Sequence, residues 1–198
     1  DESNTSYAQG GIAAAVDVSD SVASHVRDTV EAGDGLTDAT AAEHIARHGP
    51  ALIADLEARG VRFTRTRGSS LSLAREGGHA AARVVRADDL TGREVTRALL
   101  EAVRGCASIE LCPRHMVLDL LLDPDGACCG VRLLDMERGT VSQLGAAAVL
   151  LATGGCGRVY QHTTNPPVAT GDGLALAYRA GAELANLEFV QFHPTVLY

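Results

Sequence analysis

Apolar residues recur at helical spacing in three stretches of the chain. Val22, Val26 and Val30 fall at i, i+4 and i+8, with Asp28 and Glu31 off that stripe, which predicts a helix over 21–32 closed by Gly33 and Gly35. Thr37-Asp38 opens a second helix over 39–59, with Ile45, Leu52, Ile53 and Leu56 as its buried stripe, Pro50 as a kink or division, and Gly60 at its end. A third begins at Thr91 and buries Val95, Ala98, Leu99, Ala102 and Val103, with Thr91 and Glu94 spaced as a capping box. Short strands are expected at 61–64 and 109–112. A β-meander follows over 116–122, 128–135 and 140–143, turning at Asp123-Pro124-Asp125-Gly126 and at Glu137-Arg138-Gly139. Residues 146–152 hold no polar side chain and read as a strand buried on both faces, as in a parallel sheet. Gly171-Asp172-Gly173 leads into a helix over 174–180, and residues 186–195 alternate like a strand. This mixture predicts an α/β fold.

Composition narrows the possibilities. Of 198 residues 46% are hydrophobic, enough for one core or for a core shared with further segments. No run approaches the ~20 apolar residues of a membrane span. The net charge of −8, with no basic cluster, argues against nucleic acid as the main partner. None of the five cysteines forms a C-x-x-C pair, so they read as reduced thiols of a cytoplasmic protein. His44 and His48 are four apart without a third ligand nearby, which fits a solvated helix face, and no metal site is expected. The chain starts without methionine and ends in the apolar run Val196-Leu197-Tyr198, so both ends read as cuts through a larger protein.

Four stretches carry candidate chemistry. Ser3-Asn4-Thr5-Ser6-Tyr7-Ala8-Gln9-Gly10-Gly11 combines small hydroxyls and an amide with a glycine pair before the helix-forming run 12–16. It is either a helix start capped by Ser3 or Thr5, or a backbone that approaches a polar ligand closely. Thr153-Gly154-Gly155 ends an apolar strand sharply, where open α/β sheets bind ligands, although a tight turn has the same composition. Asp172 at a helix start is favoured electrostatically and can also accept from a cofactor hydroxyl. Arg75-Glu76-Gly77-Gly78-His79 places a carboxylate and an imidazole around two glycines, as a ligand loop or a solvated turn would. His193 stands at a strand end before Pro194-Thr195.

Taken in order, Ser3-Asn4-Thr5 through Gly11-Ile12, Thr91-Gly92, Ala152-Thr153-Gly154-Gly155, Gly171-Asp172-Gly173 and Glu188-Phe189-Val190-Gln191-Phe192-His193-Pro194-Thr195 resemble the flavoprotein family of succinate dehydrogenases, fumarate reductases and L-aspartate oxidases. The resemblance runs almost end to end. It implies a Rossmann-like FAD-binding domain of glutathione-reductase type over 1–186, interrupted by the meander, with a capping domain beginning at 187–198.

Within the family two positions resemble the L-aspartate oxidase branch. Asn4 stands where the respiratory members carry a histidine bonded to FAD, so the resemblance implies non-covalent FAD. Glu76 and His79 stand where those members have an aromatic residue and a glutamine, and a carboxylate there suits the ammonium of an amino acid. Tyr7 and the loop at 160–166 resemble the same branch. Asn4, Thr5, Ser6, Tyr7, Ala8, Gln9, Gly10, Gly11, Thr153 and Gly154 would line the flavin. Asp172 would anchor its polar part, and Met116 and Val117 would meet the adenine side through backbone atoms. Glu76 would face the substrate ammonium, and His193 and His79 its carboxylates. The implied reaction is oxidation of L-aspartate to iminoaspartate, with O2 or fumarate taking the electrons and quinolinate synthase receiving the product for NAD synthesis. The dinucleotide fingerprint G-x-G-x-x-G and the family's later arginines are absent from the chain, which alone is expected to be inactive. The alternatives are a soluble fumarate reductase or succinate dehydrogenase flavoprotein subunit, and a flavin-free interaction module.

Overall fold

The computed structural model describes residues 2–191. They divide into two compact units, one of residues 5–109, the other of residues 2–4 with 110 onward.

A turn of helix α1 (Asn4–Tyr7) is followed by strand β1 (Ile12–Ala13), helix α2 (Val22–Ala32) and helix α3 (Ala39–Ala58). Ser21 caps α2 by accepting from the Ser24 N–H at 3.1 Å, and Asp38 caps α3 by accepting from Ala41 at 3.0 Å. β2 (Leu73–Ala74), β3 (Val84–Val85) and helix α4 (Thr91–Arg104) complete this unit. β3 is the centre of a small antiparallel sheet, pairing Ile12 and Leu73 with Val85 and Ala13 and Ala74 with Val84. The core is Ala14, Ile53, Val61, Phe63, Val85, Ala87 and Ala98, with Ile12, Leu56, Leu73 and Val95 packed against it.

Four expectations need correction here. The run 12–16 is not helical: Ile12 and Ala13 join the sheet and the Ala14 N–H donates to Arg83 O at 2.9 Å, so tertiary pairing overrides alanine's helix preference. α3 runs through Pro50 undivided and buries Ala42, Ala46 and Ile53, leaving Ile45 and Leu52 exposed. Small residues face inward because Gly49 packs directly on Ala14. The capping box does not form, because Leu90 is the N-cap. Thr91 Oγ1 accepts instead from the Ala87 N–H at 3.0 Å, and Glu94 accepts from the Arg62 N–H at 2.9 Å. Residues 61–64 form no regular strand, although Val61 and Phe63 are buried in the core.

In the second unit β4 (His115–Leu122), β5 (Cys128–Asp135) and β6 (Thr140–Gly145) form the expected antiparallel meander in the order β4-β5-β6. Helix α5 (Asp172–Arg179) is tied to β4 by Arg179, whose Nη2 donates to Leu118 O at 2.7 Å and whose Nε meets Asp119 at 3.1 Å. Residues 109–112 are irregular. So are residues 146–152, and Leu150 is 91% exposed. A strand exists through its ladder, and beyond the Ala146 N–H, which donates to Cys129 O at 2.9 Å, no strand among the described residues pairs with this segment.

Candidate functional site

The Thr5–Gly11 stretch is placed by two close backbone approaches in the first unit. The Gly92 N–H at the start of α4 donates to Ala8 O at 3.1 Å, and a Cβ at Gly92 would collide with Thr5 O. A Cβ at Gly11 would likewise strike Val85 O in β3, whereas one at Gly10 would meet nothing within 4 Å. Gly11 therefore serves packing and Gly10 leaves open space. Thr5, Tyr7, Ala8, Gln9 and Gly10 are exposed, and Ser6 is half-buried.

Glu76 and His79 sit on the loop from β2 to β3. This loop leaves the sheet at the Ala13–Val84–Ala74 end, while Gly11 enters at the Ile12–Val85–Leu73 end. The structure thus brings Glu76 and His79 together in one turn and places them at the other end of the ladder from the glycine pair. The His79 N–H donates to Glu76 O at 3.2 Å, and Arg75 Nε donates to His79 O at 2.7 Å. Glu76 is exposed and His79 half-buried. The His79 ring stands edge-on to that of His25 in α2, with centroids 6.4 Å apart, and Nδ1 of each ring is buried without a hydrogen-bond partner.

Beside this pair lies a charge network that the sequence reading missed. Arg83 is fully buried, with Nε and Nη2 on the two oxygens of Asp20 at 2.8 and 3.0 Å and Nη1 on Asp28 at 2.6 Å. Nη2 also donates to Ser24 Oγ at 3.1 Å. Burial works against the Asp20 carboxylate, but the Arg83 guanidinium outweighs it and holds its pKa below the usual range. Burial, then the Arg83 charge, push the His25 pKa down. The signal for this network was a lone charge in the apolar run Ala80-Ala81-Ala82-Arg83-Val84-Val85.

In the second unit the structure gathers Asn4, Thr153, Gly154 and Asp172. Gly154 adopts φ +73°, and its Cα faces Asn4 Nδ2, which a built Cβ would meet at 3.7 Å. The Thr153 side chain lies on Gly173, so closely that any Cβ there would displace its hydroxyl. Gly173 is in the first turn of α5, and Asp172 is exposed beside it. Met116 and Val117 lie near the start of β4, an edge strand of the meander whose outer backbone groups have no strand partner among the described residues. His193 lies outside the described residues. No helix among the described residues is long and apolar enough to cross a membrane.

The donors and acceptors in the second unit are an amide, a hydroxyl, an exposed carboxylate and a glycine backbone at φ > 0. This set fits a polar cofactor approached closely by main chain. Comparison with known proteins gives the family. The FAD binding domain family matches residues 1–198. The chain is 48% identical over 199 residues to the chloroplastic L-aspartate oxidase of Arabidopsis thaliana, covering 99% of this chain and 31% of that protein. It is 48% identical over 204 residues to the L-aspartate oxidase of Streptomyces coelicolor, covering 100% and 35%. The chain thus spans about a third of the length of these curated relatives. Among solved structures, Sdh1 of Mycobacterium smegmatis in complex with UQ1 superposes with a TM-score of 0.89 at 37% identity, over 97% of this chain and 34% of that one. An E. coli quinol fumarate reductase superposes with a TM-score of 0.86 at 36% identity, over 89% of this chain and 30% of that one. The chain belongs to the FAD binding domain family and is a homologue of the L-aspartate oxidases.

Proposed function

We propose that the full-length protein oxidises L-aspartate to iminoaspartate with non-covalently bound FAD. The observation that carries this reading is the near-half identity to plant and bacterial L-aspartate oxidases along virtually the whole chain. Residues 1–186 belong to the FAD-binding domain in this reading, and 187–198 open a capping domain.

FAD, when bound, supplies the acceptor for the two electrons and the hydrogen removed from the substrate Cα. The protein holds and orients. Asn4, Thr5, Ser6, Tyr7, Ala8, Gln9, Gly10, Gly11, Thr153 and Gly154 line the flavin, and the Asn4 amide cannot form the covalent bond that a histidine forms. Asp172 accepts from the polar part of the cofactor, and the edge backbone at Met116 and Val117 meets the adenine side. Glu76 is exposed on its turn and pairs with the substrate ammonium. His79 on the same turn and His193 receive the carboxylates. O2 or fumarate takes the electrons from the reduced enzyme, and iminoaspartate passes to quinolinate synthase in the cytoplasm as the first step toward NAD.

Glu76→Gln in the full-length enzyme tests the assignment. Aspartate oxidation should fall more than fumarate reduction, because only aspartate carries an ammonium, and equal rates with parent for both would remove Glu76 from the site. The likeness to fumarate reductase and Sdh1 structures favours a second reading, a fumarate reductase or succinate dehydrogenase flavoprotein. Peroxide release with L-aspartate and none with succinate separates the two.

A further inference from the structure

The turn that carries Glu76 and His79 is tied down at its far end by a carboxylate from another element. Asp28 Oδ2, in the second turn of α2, accepts from the Ala80 backbone N–H at 2.7 Å and from Arg83 Nη1 at 2.6 Å. Three residues earlier on the same helix, His25 presents its ring to His79. α2 therefore meets the turn twice.

Charge balance alone does not call for Asp28. Asp20 already engages the Arg83 guanidinium through both oxygens, and its side chain is 1% exposed. One buried cation with one bidentate carboxylate is neutral, so the second carboxylate is surplus as a counter-ion. What Asp28 adds is position, because its side chain accepts from the Ala80 N–H in the middle of the loop, whereas the Arg83 N–H bonds Ala74 O only at the loop's base. The Ala80 N–H, together with Arg83, also holds the Asp28 carboxyl below its ordinary range despite the opposing effect of burial. The turn itself is a closed piece, with the His79 N–H on Glu76 O and Arg75 on His79 O, so fixing Ala80 fixes the carboxylate and the imidazole together.

We propose that Asp28 is a positioning residue that, by clamping the Ala80 N–H onto the buried Arg83, sets where Glu76 and His79 meet the dicarboxylate substrate. This rests on the substrate-binding reading of the turn given above. A small displacement of an orienting group weakens binding without altering the chemistry of the cofactor, so the effect belongs in KM.

The test uses the full-length, FAD-loaded enzyme. In the parent, hydrogen–deuterium exchange at the Ala80 amide should be slowed, and exchange at the rate of an open loop amide would overturn the proposal. Asp28→Ala should raise KM for L-aspartate and for fumarate about tenfold, with kcat changed less than about threefold and flavin absorbance retained. Asp28→Asn is the deciding variant. It is uncharged but keeps a carbonyl oxygen for Ala80, so it should return KM to within about threefold of parent. If it behaves like Asp28→Ala, or if neither variant folds, Asp28 acts as a counter-ion and the proposal is wrong. Ser24→Ala removes a contact to Arg83 that does not involve the loop and should leave KM unaltered; a rise equal to that of Asp28→Ala would also overturn it. Unaltered KM in both Glu76→Gln and His79→Ala would instead sink the substrate reading of the turn. Ala80 exchange reports on the clamp independently of that outcome.

Discussion

Replacing Glu94 by glutamine keeps the size of the side chain and removes its charge. In α4 the Glu94 carboxylate takes Arg97 Nη2 on Oε1 at 2.7 Å and Arg97 Nε on Oε2 at 2.8 Å, and Oε1 also accepts the Arg62 N–H at 2.9 Å. These bonds, Arg97 foremost, bring its pKa from 4.5 to about 2 against the opposing effect of burial. A drop of about 2.5 units corresponds to about 3 kcal/mol of preference for the ionised form in the folded state. Screening reduces this, because the Arg97 side chain is 36% exposed and that of Arg62 80% exposed. An expected loss of about 1–2 kcal/mol remains for Glu94→Gln near neutral pH.

The sign fixes the pH window. A depressed carboxylate contributes its stability in full above the unfolded pKa of 4.5 and loses it as pH falls through about 2. Urea unfolding of the full-length parent and variant, followed by circular dichroism, should therefore show a constant gap above about pH 5.5 that narrows steadily below 4.5. Added salt should also shrink the gap. A gap of the same size at about pH 3 as at about pH 7 would refute the argument, since it would assign the effect to packing or hydrogen bonding rather than to charge.

Two further outcomes follow from the packing and from the half-buried His25. Gly173→Ala forces the Thr153 side chain off the first turn of α5, so the full-length protein should emerge from gel filtration with little flavin absorbance; full FAD retention would remove this contact from the cofactor site. His25 has its pKa lowered by burial and by Arg83, with His79 adding to these and Asp20 and Asp28 opposing, so the folded state resists a proton that the unfolded chain accepts. Stability of the parent should decline as pH falls below about 6.5, and His25→Gln should lessen that slope in thermal unfolding.

Most of what was legible in the sequence was local. Ser21 and Asp38 announce the starts of α2 and α3, and the Asp123–Gly126 and Glu137–Gly139 turns place the meander strands, because a cap or a turn is decided within four residues. The β1–β3–β2 sheet was not legible. Its strands are two residues long, and Ile12 finds Val85 across most of the first unit, a pairing that no periodicity encodes. Glu94 was misread for a related reason, since the spacing of a capping box says nothing of Arg62 arriving from another element. In the candidate site, Thr153, Gly154 and Asp172 were nameable because glycine neighbours and an acidic helix start mark them locally, whereas Asn4 stood out through the family resemblance, and the structure brings these four together.

The network around Arg83 shows what hydrophobic patterning alone leaves out. Val22, Val26 and Val30 form one stripe of α2, and Ser24 and Asp28 on α2, with Asp20 just ahead of its N-cap Ser21, form a second row with the same four-residue step. The first stripe reads as buried and the second as solvated, because periodicity sorts faces by polarity and is silent on what covers them. Here the polar stripe is covered by a cation. Arg83 comes from 55 residues beyond Asp28 and 63 beyond Asp20, directly before the buried Val84 and Val85, and is itself removed from water. An arginine so placed must find carboxylates, and it finds one just ahead of the N-cap of α2 and one within that helix, four residues either side of a serine. The pairing could be sought from either end of the sequence, by asking which polar stripe answers a charge stranded in an apolar segment.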